Sequence, residues 1–329
     1  MNTMKKSLII GSACADVIIN LVHLPVTCED VNIRSQKLSI GGCAFNVSEI
    51  LRLFEVPYIP FFPVGSGIYA DFVRSQFAAR GIVSPIPSPQ MENGCCYCFV
   101  EDGGERTFTA LHGAEYLFQP QWFDLLDPSQ ISQVYICGLE IEEKTGCHIV
   151  SFLEQHEDLQ IFFAPGPRLH HIDVSLCERI FALHPILHLN EEEALHFYDS
   201  STRLVRSDGA VASDSGSQTS SDFTFDSPAL LRSAAFLYEK TGNTVIITLG
   251  ARGACFYDGT SLTHVPGVPS KVVDTIGAGD SHIGTVMACL QKGSSMKDAI
   301  AMANRVSARV VSVSGAGLTK EEFDMAESQ

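Results

Sequence analysis

The sequence predicts an α/β fold: a doubly wound, mostly parallel sheet with helices on both faces, carrying a small β lid. Two observations lead there. Short apolar runs recur at residues 8–10, 134–137, 161–163, 186–189 and 245–248, with helix-length segments between them; runs of this kind suit strands buried on both faces, as in a parallel sheet. Two stretches near 12–40 and 92–112 instead read as alternating, partly exposed strands, with one wetted face. They are expected to pair with each other as the lid.

Taken in order, the first apolar run ends in the small residues Gly11 and Ser12, with Asp16 just beyond it. In an open α/β sheet, ligands bind outside such carboxyl ends of strands. Gly41 and Gly42 precede a helix whose apolar positions Val47, Ile50, Leu51 and Phe54 follow the i, i+3, i+4, i+7 spacing. A glycine pair at a helix entrance lets backbone approach a ligand closely. Residues 199–226 gather Ser, Asp and Gly with little apolar content, the composition of an exposed, flexible insertion. Near the end, Val272-Val273-Asp274 reads as a strand that runs through the turn Gly277-Ala278-Gly279 into a helix with Ile283, Val286, Met287 and Leu290 on one face.

Composition narrows the function classes. At 329 residues one domain over 1–329 is expected, because open α/β folds reach this length. Lys+Arg total 22 against Asp+Glu 38, a net charge of −16. That sign excludes a general binder of nucleic acid or anionic membrane. An anionic substrate then needs local positive potential, which helix N-termini supply. Cysteine numbers 11, an odd count with no secretory leader before the first strand, so reduced thiols and a cytoplasmic location are expected. Cys95-Cys96-Tyr97-Cys98 lacks a second CxxC or a histidine pair at zinc spacing. His170, His171, His184, His188 and His282 show no HExxH spacing and are expected to be structural. No run approaches the about 18 to 20 apolar residues that span a bilayer.

Chemistry concentrates at Gly277-Ala278-Gly279-Asp280. A small-residue turn at a helix start leaves backbone N–H groups unshielded and adds them to the positive end of the helix dipole, which makes an anion site. Asp280 is explained equally by N-terminal capping and by catalysis, in which it takes a proton while the turn holds a moving phosphoryl group. No GxxxxGK[ST] occurs, so this is not a Walker A loop.

Asp274-Thr275-Ile276-Gly277-Ala278-Gly279-Asp280 resembles the DTxGAGD signature of the PfkB, or ribokinase-like, carbohydrate kinases. Gly41-Gly42-Cys43-Ala44-Phe45-Asn46 resembles the family's GGxxxN motif, Asn190-Glu191-Glu192-Glu193 its NxxE motif, and Thr248-Leu249-Gly250-Ala251-Arg252-Gly253 its TLGxxG loop. The resemblance covers nearly the whole chain and implies a ribokinase-like kinase using ATP and Mg²⁺. It implies Asp280 as the base, Gly277, Ala278 and Gly279 as the anion hole, and Asn190 and Glu193 as groups positioning hydrated Mg²⁺ and the phosphates. Thr248, Gly250 and Gly253 would line the nucleotide path, with Asn304 near the purine, though in the helix Met296 to Val310 it is comparably explained as a half-buried polar residue bonding to backbone. Asp16 and Asn46 would bond acceptor hydroxyls beside the backbone of Gly41 and Gly42. A K⁺ site formed by backbone oxygens is implied near Asp274 and Ser314-Gly315-Ala316.

Two more acceptor-side candidates come from position alone: Glu140, after the strand Val134 to Leu139, and Arg106, a lid cation suited to a phosphate or carboxylate and equally explained as a solvated strand arginine. Cys43 stands where some ribokinase-like members carry lysine or another polar residue. Three readings follow: a sugar kinase acting on a primary hydroxyl, a nucleoside or pseudouridine kinase, and a non-catalytic sugar sensor. Phe45, Tyr97, Phe99 and Phe108 are available to stack on a base but are equally explained as lid core. An open lid edge offers a homodimer surface.

Overall fold

The computed structural model describes residues 4–206 and 227–328. Its elements run β1 (Lys6–Ile10), β2 (Cys14–Asn20), β3 (Ser35–Gly41), α1 (Cys43–Leu53), β4 (Tyr58–Phe61), α2 (Gly67–Arg80), β5 (Cys95–Val100) and β6 (Arg106–Leu111). There follow β7 (Ile131–Cys137), α3 (Gly138–Ile141), α4 (Gly146–Glu154), β8 (Gln160–Ala164), α5 (Val174–Phe181), β9 (Ile186–Asn190), α6 (Glu191–Arg206) and α7 (Pro228–Thr241). The chain closes with β10 (Val245–Thr248), β11 (Gly253–Tyr257), β12 (Leu262–Pro266), α8 (Ala278–Gln291), α9 (Met296–Val310) and α10 (Lys320–Glu327).

The main sheet has the order β12-β11-β10-β9-β8-β7-β1-β4. Every pairing from β4 to β10 is parallel, and β11 and β12 add an antiparallel edge. Alternate side chains of the central strands enter two separate cores. Ile9, Tyr135, Phe162 and Ile246 face one core with α1, α8 and α9, while Leu8, Val134, Ile161 and Val245 face the other with α4, α5 and α7. This double burial is why these strands read as unbroken apolar runs, and each such side chain contributes about 1.5–3 kcal/mol. Val47, Ile50, Leu51 and Phe54 of the α1 region are all buried, as are Ile283, Val286 and Met287 of α8.

Helices α1 and α8 cross closely. A Cβ on Gly284 would lie 3.1 Å from Ile50 Cβ and 3.2 Å from the Val47 carbonyl oxygen, so a glycine at this point sets the separation of the two helices.

The lid is a four-stranded sheet of order β3-β2-β5-β6. Its β2–β5 pair is parallel and its flanking pairs are antiparallel. Ala15, Val17, Ile19 and Leu21 pack with Tyr97, Phe99 and the α2 side chains Tyr69 and Phe72. On the opposite face the register aligns Asp16 with Cys96 and Ala110, and Ile18 with Cys98 and Phe108; Arg106, opposite Val100, shares that face.

Two local expectations change. Val272-Val273-Asp274 is not a strand: both valines are more than half exposed, and the N–H groups of Val273 and Asp274 donate to the same carbonyl, that of Val311. The sheet ends at β12, so this β-prone segment has no neighbour to pair with and crosses as an extended loop. The Ser-rich segment begins inside a helix, because α6 runs to Arg206 and seats Ala194 and Phe197 on the core. The rest of that segment, 207–226, lies outside the described residues.

Candidate active site

Carboxyl ends of the parallel strands deliver several of the candidate residues to one edge of the sheet. Gly11 and Ser12 follow β1, Glu140 follows β7, and Asn190 and Thr248 end β9 and β10 side by side in register. The glycine pair before α1 is required by crowding. A Cβ on Gly41 would run into the Asp16 carboxylate, and Gly42 has φ 99° with the Ser12 carbonyl against it. The Phe45 N–H then donates to Ser12 O at 3.3 Å, which sets α1 on the end of β1.

Asn46 and Asp280 meet at the start of their helices. The Asn46 Nδ2 amide donates to Asp280 Oδ2 at 2.8 Å. Burial pushes the Asp280 carboxyl up to about 6, against the pull of hydrogen bonds from Asn46 and Cys43. Across the cleft Asp16 comes down from the lid, and burial together with the nearby Asp280 charge raises it to about 7. A half-buried carboxylate oriented by an amide, with a second acid facing it, is suited to accepting a proton from a bound hydroxyl near neutral pH.

The turn ahead of Asp280 is shaped by glycine. Gly277 has φ 74°, and a Cβ there would lie 2.6 Å from Ala316 Cβ, whereas one on Gly279 would meet nothing within 4 Å. One glycine therefore packs against the loop after α9 while the other opens to the cleft. With α8 14 residues long, the N–H groups of Gly279 and Asp280 lack intrahelical partners, that of Ala278 donates to Thr275 O at 3.3 Å, and the helix dipole points positive end outward. A negative group brought to this turn is stabilised.

At the other end Asn190 and Glu193 cap each other. Glu193 N–H donates to Asn190 Oδ1 at 2.8 Å, and Asn190 N–H donates to Glu193 Oε2 at 2.9 Å. This reciprocal box holds the head of α6. Burial raises Glu193, opposed by the bond from Asn190. Thr248 Oγ1 donates to Leu189 O at 3.4 Å, Gly250 turns with φ 59° into open space, and Gly253 has φ 94° against the backbone of Val265 and Gly267. Asn304 is buried, and its amide donates to the Val265 and Pro266 carbonyls at 3.0 Å each. It holds α9 to β12 beside the site.

Two candidates are engaged differently from expectation. Glu140 is 1% exposed; its Oε1 accepts from Ser12 N–H at 2.7 Å and its Oε2 from Cys137 Sγ at 2.8 Å. The carboxylate is drawn inward by those donors and braces the β1–β2 link. Arg106, expected to face an acceptor phosphate or carboxylate, instead pairs through Nη1 with Asp274 Oδ1, because a buried carboxylate there requires a counter-charge. Asp274 also accepts from Ile276 N–H and Gly315 N–H, each at 2.9 Å.

Sequence reading missed Cys137, hinted at only by its place at a strand end, and it named Asp274 within the motif without finding its pairing to Arg106. His188 and His282 form a buried pair at 2.9 Å. Burial pulls both below the usual histidine range, His282 to about 4, so they are neutral structural groups. Three of the four aromatic candidates lie away from the cleft: Phe45 is buried and stacks on Phe77, and Tyr97 and Phe99 pack on the far face of the lid.

No helix among the described residues is long and apolar enough to cross a membrane. The chain is 31% identical over 328 residues to the uncharacterised sugar kinase YegV of Escherichia coli (strain K12), covering 99% of this chain and 95% of that one. It is 25% identical over 281 residues to deoxyribokinase of Salmonella typhi, covering 84% and 82%. In fold it is similar to ribokinase from Giardia lamblia, at TM-score 0.79 and 20% identity over 99% of both chains. A ribokinase from Cryptococcus neoformans var. grubii serotype A, solved with ADP, superposes at TM-score 0.76 and 18% identity over 99% of both chains. Residues 4–322 match the pfkB family carbohydrate kinases. With its signature segments gathered at one edge of a ribokinase-like sheet, the chain belongs to the pfkB family of carbohydrate kinases, whose members phosphorylate sugars or nucleosides.

Proposed function

We propose that this kinase transfers the γ-phosphoryl group of ATP to a primary hydroxyl of a sugar or sugar-like molecule, with Asp280 as catalytic base. The observation that carries the reading is the Asn46–Asp280 hydrogen bond at the mouth of α8. It aims a carboxylate of raised pKa beside an anion-binding turn. Asp16 and Asn46 bind and orient the acceptor, since a buried polyol needs each hydroxyl satisfied. Asp280 takes the proton of the attacking hydroxyl, and the backbone amides of Gly277, Ala278 and Gly279 hold the charge that spreads over the phosphoryl oxygens. Asp16, on the lid, closes over the acceptor, and exclusion of water limits hydrolysis of ATP.

Asn190 and Glu193 present hard oxygen and amide groups at the phosphate end, a donor set that fits Mg²⁺ held through its water shell. When bound, the ion neutralises phosphate charge. Thr248, Gly250 and Gly253 form the nucleotide path and Asn304 backs the purine side. The reaction is placed in the cytoplasm, in keeping with eleven unpaired cysteines, and the open lid edges β3 and β6 are the surface for a homodimer. A sugar is favoured over a nucleoside because, of the four aromatic side chains considered for a base, only Phe108 shares the lid face of Asp16. A sensor role is disfavoured because the base and the phosphate-positioning pair are both retained.

The test is coupled ADP release across pentoses, hexoses, sugar acids, sugar phosphates and nucleosides, for wild type and Asp280→Asn. Turnover with one acceptor class that falls by about 10³-fold in the variant, while an ATP analogue still binds within a few-fold, supports the assignment. Wild-type turnover in Asp280→Asn refutes it.

A further inference from the structure

Arg106 and Asp274 are 168 residues apart and belong to different bodies, the lid and the core. The Asp274 side chain is 4% exposed and that of Arg106 24%, so the pair is largely withdrawn from water. The Asp274 carboxylate gathers donors from three directions: Ile276 N–H at the start of the anion turn, Gly315 N–H from the loop after α9, and the guanidinium from β6. Burial pushes this carboxyl up, but the bonds from Ile276, Arg106 and Gly315 outweigh it and hold the group below the usual carboxylate range. Gly315 adjoins Ala316, the residue on which Gly277 packs. The charge state of Asp274 therefore sets the wall and the first residues of the anion turn together.

A carboxylate offers about four acceptor positions. Three donors and a full positive charge already meet this one, so the donor set does not fit a potassium ion at the same carboxylate: a second cation would be repelled by the guanidinium. We propose that Arg106 is a positioning residue that supplies from within the chain the positive charge beneath the anion turn, making the protein independent of a monovalent cation. Because Arg106 and Asp16 lie on one face of the lid, a single closing motion brings Asp16 over Asp280 and Arg106 onto Asp274.

This inference rests on reading residues 277–280 as the anion turn, and its test is separated from turnover. Melting temperature and amide hydrogen exchange of residues 275–281 are measured with K⁺, Na⁺ or tetramethylammonium at equal ionic strength. Wild type is expected to show no preference among the three. Arg106→Ala is expected to exchange at least tenfold faster in this segment, with protection restored by K⁺ or methylguanidinium, and Arg106→Lys is expected to retain most of the protection. In kinetics, Arg106→Ala should lower kcat more than it raises KM for the acceptor, and should gain a dependence on K⁺. Selective stabilisation of wild type by K⁺, which needs no variant to fold, overturns the proposal. So does an Arg106→Ala variant whose exchange matches wild type. If Asp280→Asn proves fully active while these exchange results hold, the catalytic reading fails and the cation assignment stands.

Discussion

At the acceptor end of the cleft, Asn46 and Asp280 meet across 234 residues of chain, whereas at the nucleotide end Asn190 and Glu193 cap one another three residues apart. The first contact exists only when α1 and α8 are packed at the separation that Gly284 permits. The second forms whenever α6 begins. The two ends also differ in electrostatics: the acceptor end confines two acids, Asp16 and Asp280, with pKa values raised to about 7 and about 6, while the nucleotide end holds the single acid Glu193, also raised by burial, beside a solvent-exposed Asn190. Chemistry that needs a shifted pKa is thus tied to global packing, and phosphate positioning is tied to local chain geometry.

The largest effect that sharpens this contrast is expected from Asn46→Ala. Loss of the amide leaves Asp280 unoriented and removes one of the bonds that pull its pKa down. Turnover should fall by about 10²-fold and the acidic limb of the rate profile should move to higher pH, with KM for ATP nearly unchanged. An equal change in KM for ATP would erase the distinction between the ends. Gly284→Leu comes next. Overpacking of this kind costs about 1–3 kcal/mol, read as a lowered Tm, and a loss of turnover should accompany it because α1 and α8 carry the two partners. Full activity at a lowered Tm would show that the helix separation does not set the Asn46–Asp280 contact.

A smaller change is expected from Glu193→Gln, which should raise KM for Mg-ATP by about tenfold, roughly 1.4 kcal/mol, and leave the pH profile in place. The smallest concerns stability alone. Asp16 has a folded pKa of about 7 against an ordinary 3.8, so the folded state retains its proton where the unfolded chain has lost it. Its contribution to stability is full below about pH 4 and is lost as pH rises through about 7. Tm of Asp16→Asn relative to wild type should therefore rise across that window; a constant difference from pH 4 to 8 would mean that Asp16 is not held in a strained, buried state.

Local patterns made much of this legible. Strands buried on both faces appear as apolar runs, the lid strands appear as alternation, and the small-residue turn before Asp280 declares an anion site because nothing there shields the backbone. Val272-Val273 misleads for the same reason that the other runs inform: β-branched residues favour a strand only if a neighbouring strand is present, and the sheet had ended at β12. Cys137 gives no sign of its bond to Glu140, since a thiol at a strand end is ordinary packing material until the fold brings a carboxylate to it.

By itself the sequence determined most of the strands and helices, the order of the motifs, and the residue types available at the cleft, because these follow from hydrophobic period and backbone freedom within a few residues. Tertiary structure alone decided which charges meet. Glu140 turns inward to the Ser12 amide, Asp280 receives Asn46, and Arg106 crosses from lid to core to settle on Asp274. The reason is that Coulomb and hydrogen-bond energies depend on separation in space and on burial, and neither quantity exists in a chain until distant segments have packed.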